Sequence, residues 1–133
     1  MKTVVAGGGG FIGSNLCRRL LHEGRQVVCI DNFVTGRHSN IDSLQDYPAF
    51  ELIEADIIEG DLPDLGPLDE VYNLASPASP PGYQQKALQT LRVNSEGTRH
   101  LLDLAARGGA RFVYASTDLP PVFIPLGELV FHP

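Results

Sequence analysis

The chain has 133 residues, 43% of them apolar and 20% charged, which suits one folded domain and is too short for separate cofactor and substrate lobes. Ten Lys and Arg against sixteen Asp and Glu give a formal net charge of -6. That is the wrong sign for holding phosphate backbones or anionic lipid by bulk attraction, so neither nucleic acid nor a membrane surface is expected as a partner. No apolar run approaches the roughly 20 residues that span a bilayer, and Met1-Lys2-Thr3-Val4-Val5-Ala6 leads into glycines and not into a cleavage site, so a cytoplasmic location is expected.

Lys2 to Ala6 is a β-branched run that predicts a first strand. After the glycines, Phe11, Ile12, Leu16, Leu20 and Leu21 recur at helical spacing up to Gly24. Gln26 to Ile30 is a continuous apolar run closing on Asp31, the pattern of a parallel strand covered on both faces. Asn32 to Asn40 reads as a polar loop, Ile41 to Asp46 as a short helix, and Phe50 to Ala55 as a third strand ending at Asp56. Glu59 to Leu68 reads as loop, Glu70 to Ala75 as a fourth strand, and Ser76 to Gly82 as a proline-heavy loop. Gln84 to Arg107 predicts a long helix with Leu88, Leu91, Thr98, Leu102 and Ala105 on one stripe, stopped by Gly108-Gly109. Arg111 to Ser116 is a fifth strand. Strands alternating with helices predict an α/β fold with a doubly wound, mostly parallel sheet of about five strands.

Residues 118–133 break this rhythm, for Val122 to Phe131 holds seven apolar residues in ten, with Pro125, Gly127 and the single charge Glu128. Residues 1–117 are therefore expected to form the domain and 118–133 a divergent apolar tail, which could pair with a sheet edge, bury a dimer surface or be an aggregation-prone remnant. Cys17 and Cys29 fall in helix and buried strand, where thiols act as small hydrophobes, so neither a disulfide nor a metal site is expected. His22, His38, His100 and His132 lack ligand spacing and are expected at the surface without a role.

Gly7, Gly8, Gly9, Gly10 and Gly13 stand between the first strand and the first helix, where missing side chains let backbone approach a pyrophosphate at the helix N-terminus. The run satisfies both G-x-G-x-x-G and G-x-x-G-x-x-G, so spacing alone does not choose between dinucleotide-binding families. Asp31, at the end of strand two, can accept hydrogen bonds from a ribose 2′-hydroxyl and would repel a 2′-phosphate, which favours NAD over NADP.

With these residues in place the chain resembles the extended short-chain dehydrogenase/reductase family of nucleotide-sugar epimerases, dehydratases and decarboxylases, from Lys2 to Thr117. Gly7-Gly8-Gly9-Gly10-Phe11-Ile12-Gly13-Ser14 is similar to its pyrophosphate turn, and Asp31-Asn32-Phe33 with Gly36-Arg37 to its adenosine-ribose loop. Asp56-Ile57 resembles the adenine contact, and Asn73-Leu74-Ala75-Ser76 the motif lining the nicotinamide side. Asn94 with Gly97-Thr98 resembles the helix-to-sheet packing motif. Leu74-Ala75-Ser76-Pro77-Ala78-Ser79-Pro80-Pro81-Gly82-Tyr83 is similar to the loop of UDP-glucuronate decarboxylases.

The resemblance implies NAD as cofactor and a UDP-sugar as substrate. Family members commonly pair as homodimers through a helical bundle, for which the helix Gln84 to Arg107 is a candidate surface, with a solvent-facing or sheet-covering helix as the favoured alternative. The implied reaction oxidises C4 of UDP-glucuronate to a ketone, loses CO2 from the resulting β-keto acid, and returns the hydride to give UDP-xylose. It needs a Tyr base with a Lys four residues later, assisted by a Ser or Thr. Thr117 matches the last of these, whereas the only lysines are Lys2 and Lys86 and no Tyr stands four positions before either. After Thr117 the family's Glu-Val-Tyr-Gly type segment is replaced by Asp118-Leu119-Pro120-Pro121-Val122. The expectation is a cofactor-binding part that does not turn over by itself. A non-catalytic NAD(H)-binding module and a fragment of a 4-epimerase or 4,6-dehydratase are the alternatives.

Overall fold

A computed structural model describes residues 1–76 and 87–115. The strands are β1 (Lys2–Ala6), β2 (Gln26–Asp31), β3 (Phe50–Glu54), β4 (Glu70–Asn73) and β5 (Arg111–Tyr114). Helix α1 spans Phe11–His22, α2 spans Ala87–Arg92 and α3 spans Thr98–Gly108, with a π-helical turn at Val93–Gly97 joining the last two. All five strands are parallel in the order β3-β2-β1-β4-β5, which is the doubly wound arrangement expected. In register, Ala6 of β1 faces Ile30 of β2 and Asn73 of β4, so the carboxyl ends of the three central strands lie side by side.

Alternation along the strands divides the core in two. Val4, Ala6, Val28 and Ile30 face Leu101, Leu104 and Ala105 of α3, while Val5, Val27 and Cys29 face Cys17, Leu20 and Leu21 of α1 with Ile41 and Leu44. Val4, Val5, Val27, Cys29 and Ile30 are fully enclosed. Each buried aliphatic side chain of this size contributes about 1.5 to 3 kcal/mol, which is why Val4-Val5-Ala6 of β1 and Val27-Val28-Cys29-Ile30 of β2 are apolar at every position. Both long helices end on glycine in the left-handed region. Gly24 has φ +77° with Arg25 N–H reaching Leu20 O, and Gly109 has φ +72° with Ala110 N–H reaching Ala105 O.

Three sequence expectations change. Ile41 to Asp46 does not form an α-helix; two 3-10 turns, His38–Asn40 and Asp42–Leu44, bury Ile41 and Leu44 without helical length. The expected stripe on the long helix splits. Leu88, Leu91 and Leu102 are 73%, 64% and 46% exposed, and the buried positions are Val93, Gly97, Leu101, Leu104 and Ala105. The π turn accommodates an extra residue and so rotates Leu88 and Leu91 relative to a 3.6-residue repeat, while within α3 the buried face runs through Leu101, Leu104 and Ala105 and leaves Leu102 beside it. His100, expected on the surface, is half-buried, with Nδ1 2.7 Å from the Ile57 carbonyl. Gln84, the start expected for the helix, the loop from Pro77, His132 and residues 118–133 lie outside the described residues.

Candidate functional site

The turn from β1 to α1 is built on backbone. Gly7 N–H donates to Ile30 O at 2.8 Å, Gly10 N–H to Gly7 O at 3.2 Å and Ser14 N–H to Gly10 O at 3.0 Å. Gly7 has φ +81°, and a Cβ there would stand 2.7 Å from the carbonyl carbon of Leu74. At Gly13 a Cβ would overlap Gly7 O, so the helix can sit on the turn only without a side chain at this position. The N-cap is Gly10, which offers no side-chain cap, and the first turn of α1 carries no acid. The first intrahelical bond belongs to Ser14, so the N–H groups of Phe11, Ile12 and Gly13 are those that a helix leaves for an external acceptor. They point positive dipole ends into the mouth of the turn. The side chains of Phe11 and Ile12 are exposed beside them.

Asp31, at the end of β2, is buried at 9% exposure and carries a carboxylate held by two backbone donors. Gly9 N–H reaches Oδ2 at 2.8 Å and Phe33 N–H reaches Oδ1 at 2.8 Å. Each oxygen keeps a lone pair for a further donor. The loop after it closes onto the glycines. A Cβ at Gly36 would lie 3.0 Å from the Gly9 carbonyl carbon and 3.1 Å from Asp31 Oδ1. Phe33 adopts φ 54°, uncommon for a non-glycine, and stacks on His38 with ring centroids 3.7 Å apart.

The neighbouring strand ends complete the rim. Asn32 Nδ2 donates to Asp56 Oδ2 at 3.1 Å, and Asp56 Oδ1 accepts Ile58 N–H at 2.9 Å. The Ile57 side chain is buried beneath Gly97, where a Cβ would stand 2.7 Å from its Cδ1, and its carbonyl is taken by His100. What Ile57 has left to offer a ligand is its backbone N–H. After β4, Leu74 and Ala75 are half-buried against Gly7 and Ser76 is exposed. Asn73 Nδ2 donates to Thr98 Oγ1 at 3.1 Å, which ties β4 to α3.

The structure thus brings Gly7, Gly10, Phe11, Ile12, Gly13, Asp31, Asn32, Gly36, Asp56, Leu74, Ala75 and Ser76 to one edge of the sheet, at the carboxyl ends of its strands. In an open α/β sheet this is the side on which ligands bind, at the point where successive crossovers pass to opposite faces. Asn94 is exposed on the π turn, and the helix-to-sheet packing is made by Gly97 and Thr98. Thr117 lies outside the described residues. Sequence reasoning missed Gly60 and His100. Gly60 has φ +75° and lies so close under the His100 ring that a Cβ would stand 2.7 Å from Nε2; only that left-handed glycine gave a local signal.

Among the described residues no group of His, Cys, Asp and Glu has the geometry of a metal site. No helix among them is long and apolar enough to cross a membrane.

A family model described as the NAD dependent epimerase/dehydratase family matches residues 3–120. UDP-glucuronic acid decarboxylase 1 of Arabidopsis thaliana is 45% identical over 118 residues, covering 89% of this chain and 26% of its own. UDP-glucuronic acid decarboxylase 5 of the same plant is 41% identical over 134 aligned residues, covering 100% of this chain and 37% of its own. The chain therefore spans between about a quarter and two-fifths of the length of these relatives. Among solved structures, UDP-glucose 4-epimerase from Stenotrophomonas maltophila, with bound NAD and formylated UDP-arabinopyranose, superposes with a TM-score of 0.74. It is 27% identical, and the match covers 92% of this chain and 40% of that one.

Proposed function

Since this chain belongs to the NAD dependent epimerase/dehydratase family, we propose that the edge formed by Gly7 to Gly13, Asp31 and Asp56 binds NAD. The observation that carries the reading is the pairing of a side-chain-free turn at the N-terminus of α1 with a buried Asp31 carboxylate that keeps acceptor capacity. The N–H groups of Phe11, Ile12 and Gly13 would hold the pyrophosphate, Asp31 the adenosine ribose, and Asp56 with the Ile57 N–H the adenine. The rim at Leu74, Ala75 and Ser76 would line the nicotinamide side. When bound, the group would supply reversible hydride transfer at a sugar carbon.

The identities to UDP-glucuronic acid decarboxylases and the loop opening at Leu74-Ala75-Ser76 favour UDP-glucuronate as the sugar nucleotide of the parent reaction. Thr117 is proposed to stand where the family's catalytic Ser or Thr does. The chain contains no Tyr-x-x-x-Lys pair to draw the proton from a sugar hydroxyl, so it holds the cofactor without completing turnover. Titration calorimetry with NAD, with NADP as control, tests this. Saturable binding with NAD preferred and no release of CO2 from UDP-glucuronate is expected. Equal binding of the two cofactors removes the role of Asp31, and turnover removes the claim of inactivity. The exposed Leu88, Leu91 and Leu102 are assigned to pairing of two copies, for which sedimentation equilibrium should give twice the chain mass.

A further inference from the structure

The Gly9–Gly10 peptide is held from several sides, and one of the groups that hold it, Asn40, belongs to none of the motifs described above. Its carbonyl accepts the side-chain amide of Asn40 at 2.8 Å and the backbone N–H of Arg37 at 3.0 Å. Its N–H, on the opposite side of a trans peptide, donates to Gly7 O at 3.2 Å. Gly7 O is also the atom on which Gly13 rests. On the far side of the same residue, Gly9 N–H is bound by Asp31. Arg37 and Asn40 are fixed relative to each other by the 3-10 turn His38–Asn40, in which Asn40 N–H donates to Arg37 O at 3.0 Å.

We infer that Asn40 is a positioning residue for the cofactor site. It sets the plane of the Gly9–Gly10 peptide and so holds the pyrophosphate turn in its binding shape before the cofactor arrives. It touches no reacting atom. Its side chain is half-buried, and its amide bridges the segment that follows β2 to the turn that follows β1, coupling the ribose half of the site to the phosphate half. Preformed geometry lowers the ordering cost of binding, so Asn40 acts on affinity more than on stability. Removing its amide leaves the Gly9 carbonyl with its bond to Arg37, hence no orphaned acceptor and little loss of fold.

The inference rests on the NAD reading above, and its test separates the two. In the full chain, Asn40→Ala should weaken NAD binding by about fivefold, the worth of one neutral hydrogen bond. Asn40→Asp keeps the shape, turns the donor into an acceptor and should weaken binding further. Both variants should move the Gly9 carbonyl carbon and Gly10 amide nitrogen resonances while the urea midpoint stays near that of the parent. An Asn40→Ala chain that binds NAD within twofold of the parent, or that loses affinity with those two resonances unmoved, overturns the inference. A parent chain that binds no NAD overturns the cofactor reading instead.

Discussion

Gly8 and Cys29 form a steric pair whose coupling can be worked out in advance. Gly8 is buried and has no left-handed φ, so space and not conformation decides what it can be. A Cβ at Gly8 would overlap Cys29 Sγ, whereas Cys29 Cβ and Val5 O would be 3.2 Å away. Against an ordinary contact of about 3.5 Å, the sulfur must retreat by roughly 1 Å inside a closed core. Gly8→Ala should therefore destabilise by about 2 to 3 kcal/mol, the cost of overpacking. Cys29→Ala deletes one buried heavy atom and should cost about 1 to 1.5 kcal/mol. In the double variant the sulfur is gone and the new methyl partly fills its space, so the total should be about 1 to 2 kcal/mol in place of the sum. The expected coupling is about 2 kcal/mol of mutual relief, read from urea unfolding of the four chains with equal m-values. Additivity within about 0.5 kcal/mol would refute the argument, because it would mean that the glycine turn does not press on Cys29.

The cofactor assignment predicts that Asp31→Asn narrows the preference for NAD over NADP by at least about tenfold, since a charged acceptor is exchanged for a neutral one of the same shape; an unchanged ratio in parallel titrations removes Asp31 from the ribose. The Cys29 thiol is held well above its usual range, first by its hydrogen bond with Cys17 and then by burial. A raised folded pKa means that stability is complete below the unfolded thiol's value near 8.5 and falls as pH rises above it, by about 1.4 kcal/mol per pH unit. Unfolding curves at neutral and alkaline pH should show this slope in the parent and a shallower one in Cys29→Ala. Glu70, with a side chain 8% exposed, takes Arg25 Nη1 at 2.6 Å, Arg111 Nη2 at 2.9 Å and the Tyr72 hydroxyl at 3.1 Å. Glu70→Ala should cost about 2 to 3 kcal/mol, and Arg111→Ala, at an exposed partner, under about 1 kcal/mol; equal losses in denaturant unfolding would contradict this ranking.

The strands and α1 were legible because short-range rules govern them. A β-branched run between breakers, or apolar residues at helical spacing closed by Gly24, leaves few alternatives. The pyrophosphate turn was legible for the same reason: Gly7 to Gly13 is contiguous, and its demand for missing side chains is written locally. The long helix was misread where a global constraint wins. Gly97 must lie flat over Ile57, and the π turn that seats it there shifts the register that periodicity assumes, turning Leu88 and Leu91 outward. Asn40 stayed hidden because a polar residue in a polar loop carries no pattern; its meaning comes from Gly9, which only the fold brings near.

The order of the strands also bears on how the chain finds this fold. β1 occupies the centre of the sheet, where Lys2 faces Gln26 and Thr3 faces Glu70. The middle of the sheet therefore waits for its most distant contact, and no hairpin can nucleate among parallel strands. Lengthening the intervening loop is cheap, since each doubling of a closed loop adds only about 0.6 kcal/mol of entropy. The number of such non-local pairings governs the rate, and this chain should collapse quickly around β2 and α1, then fold slowly as β4 searches for its place.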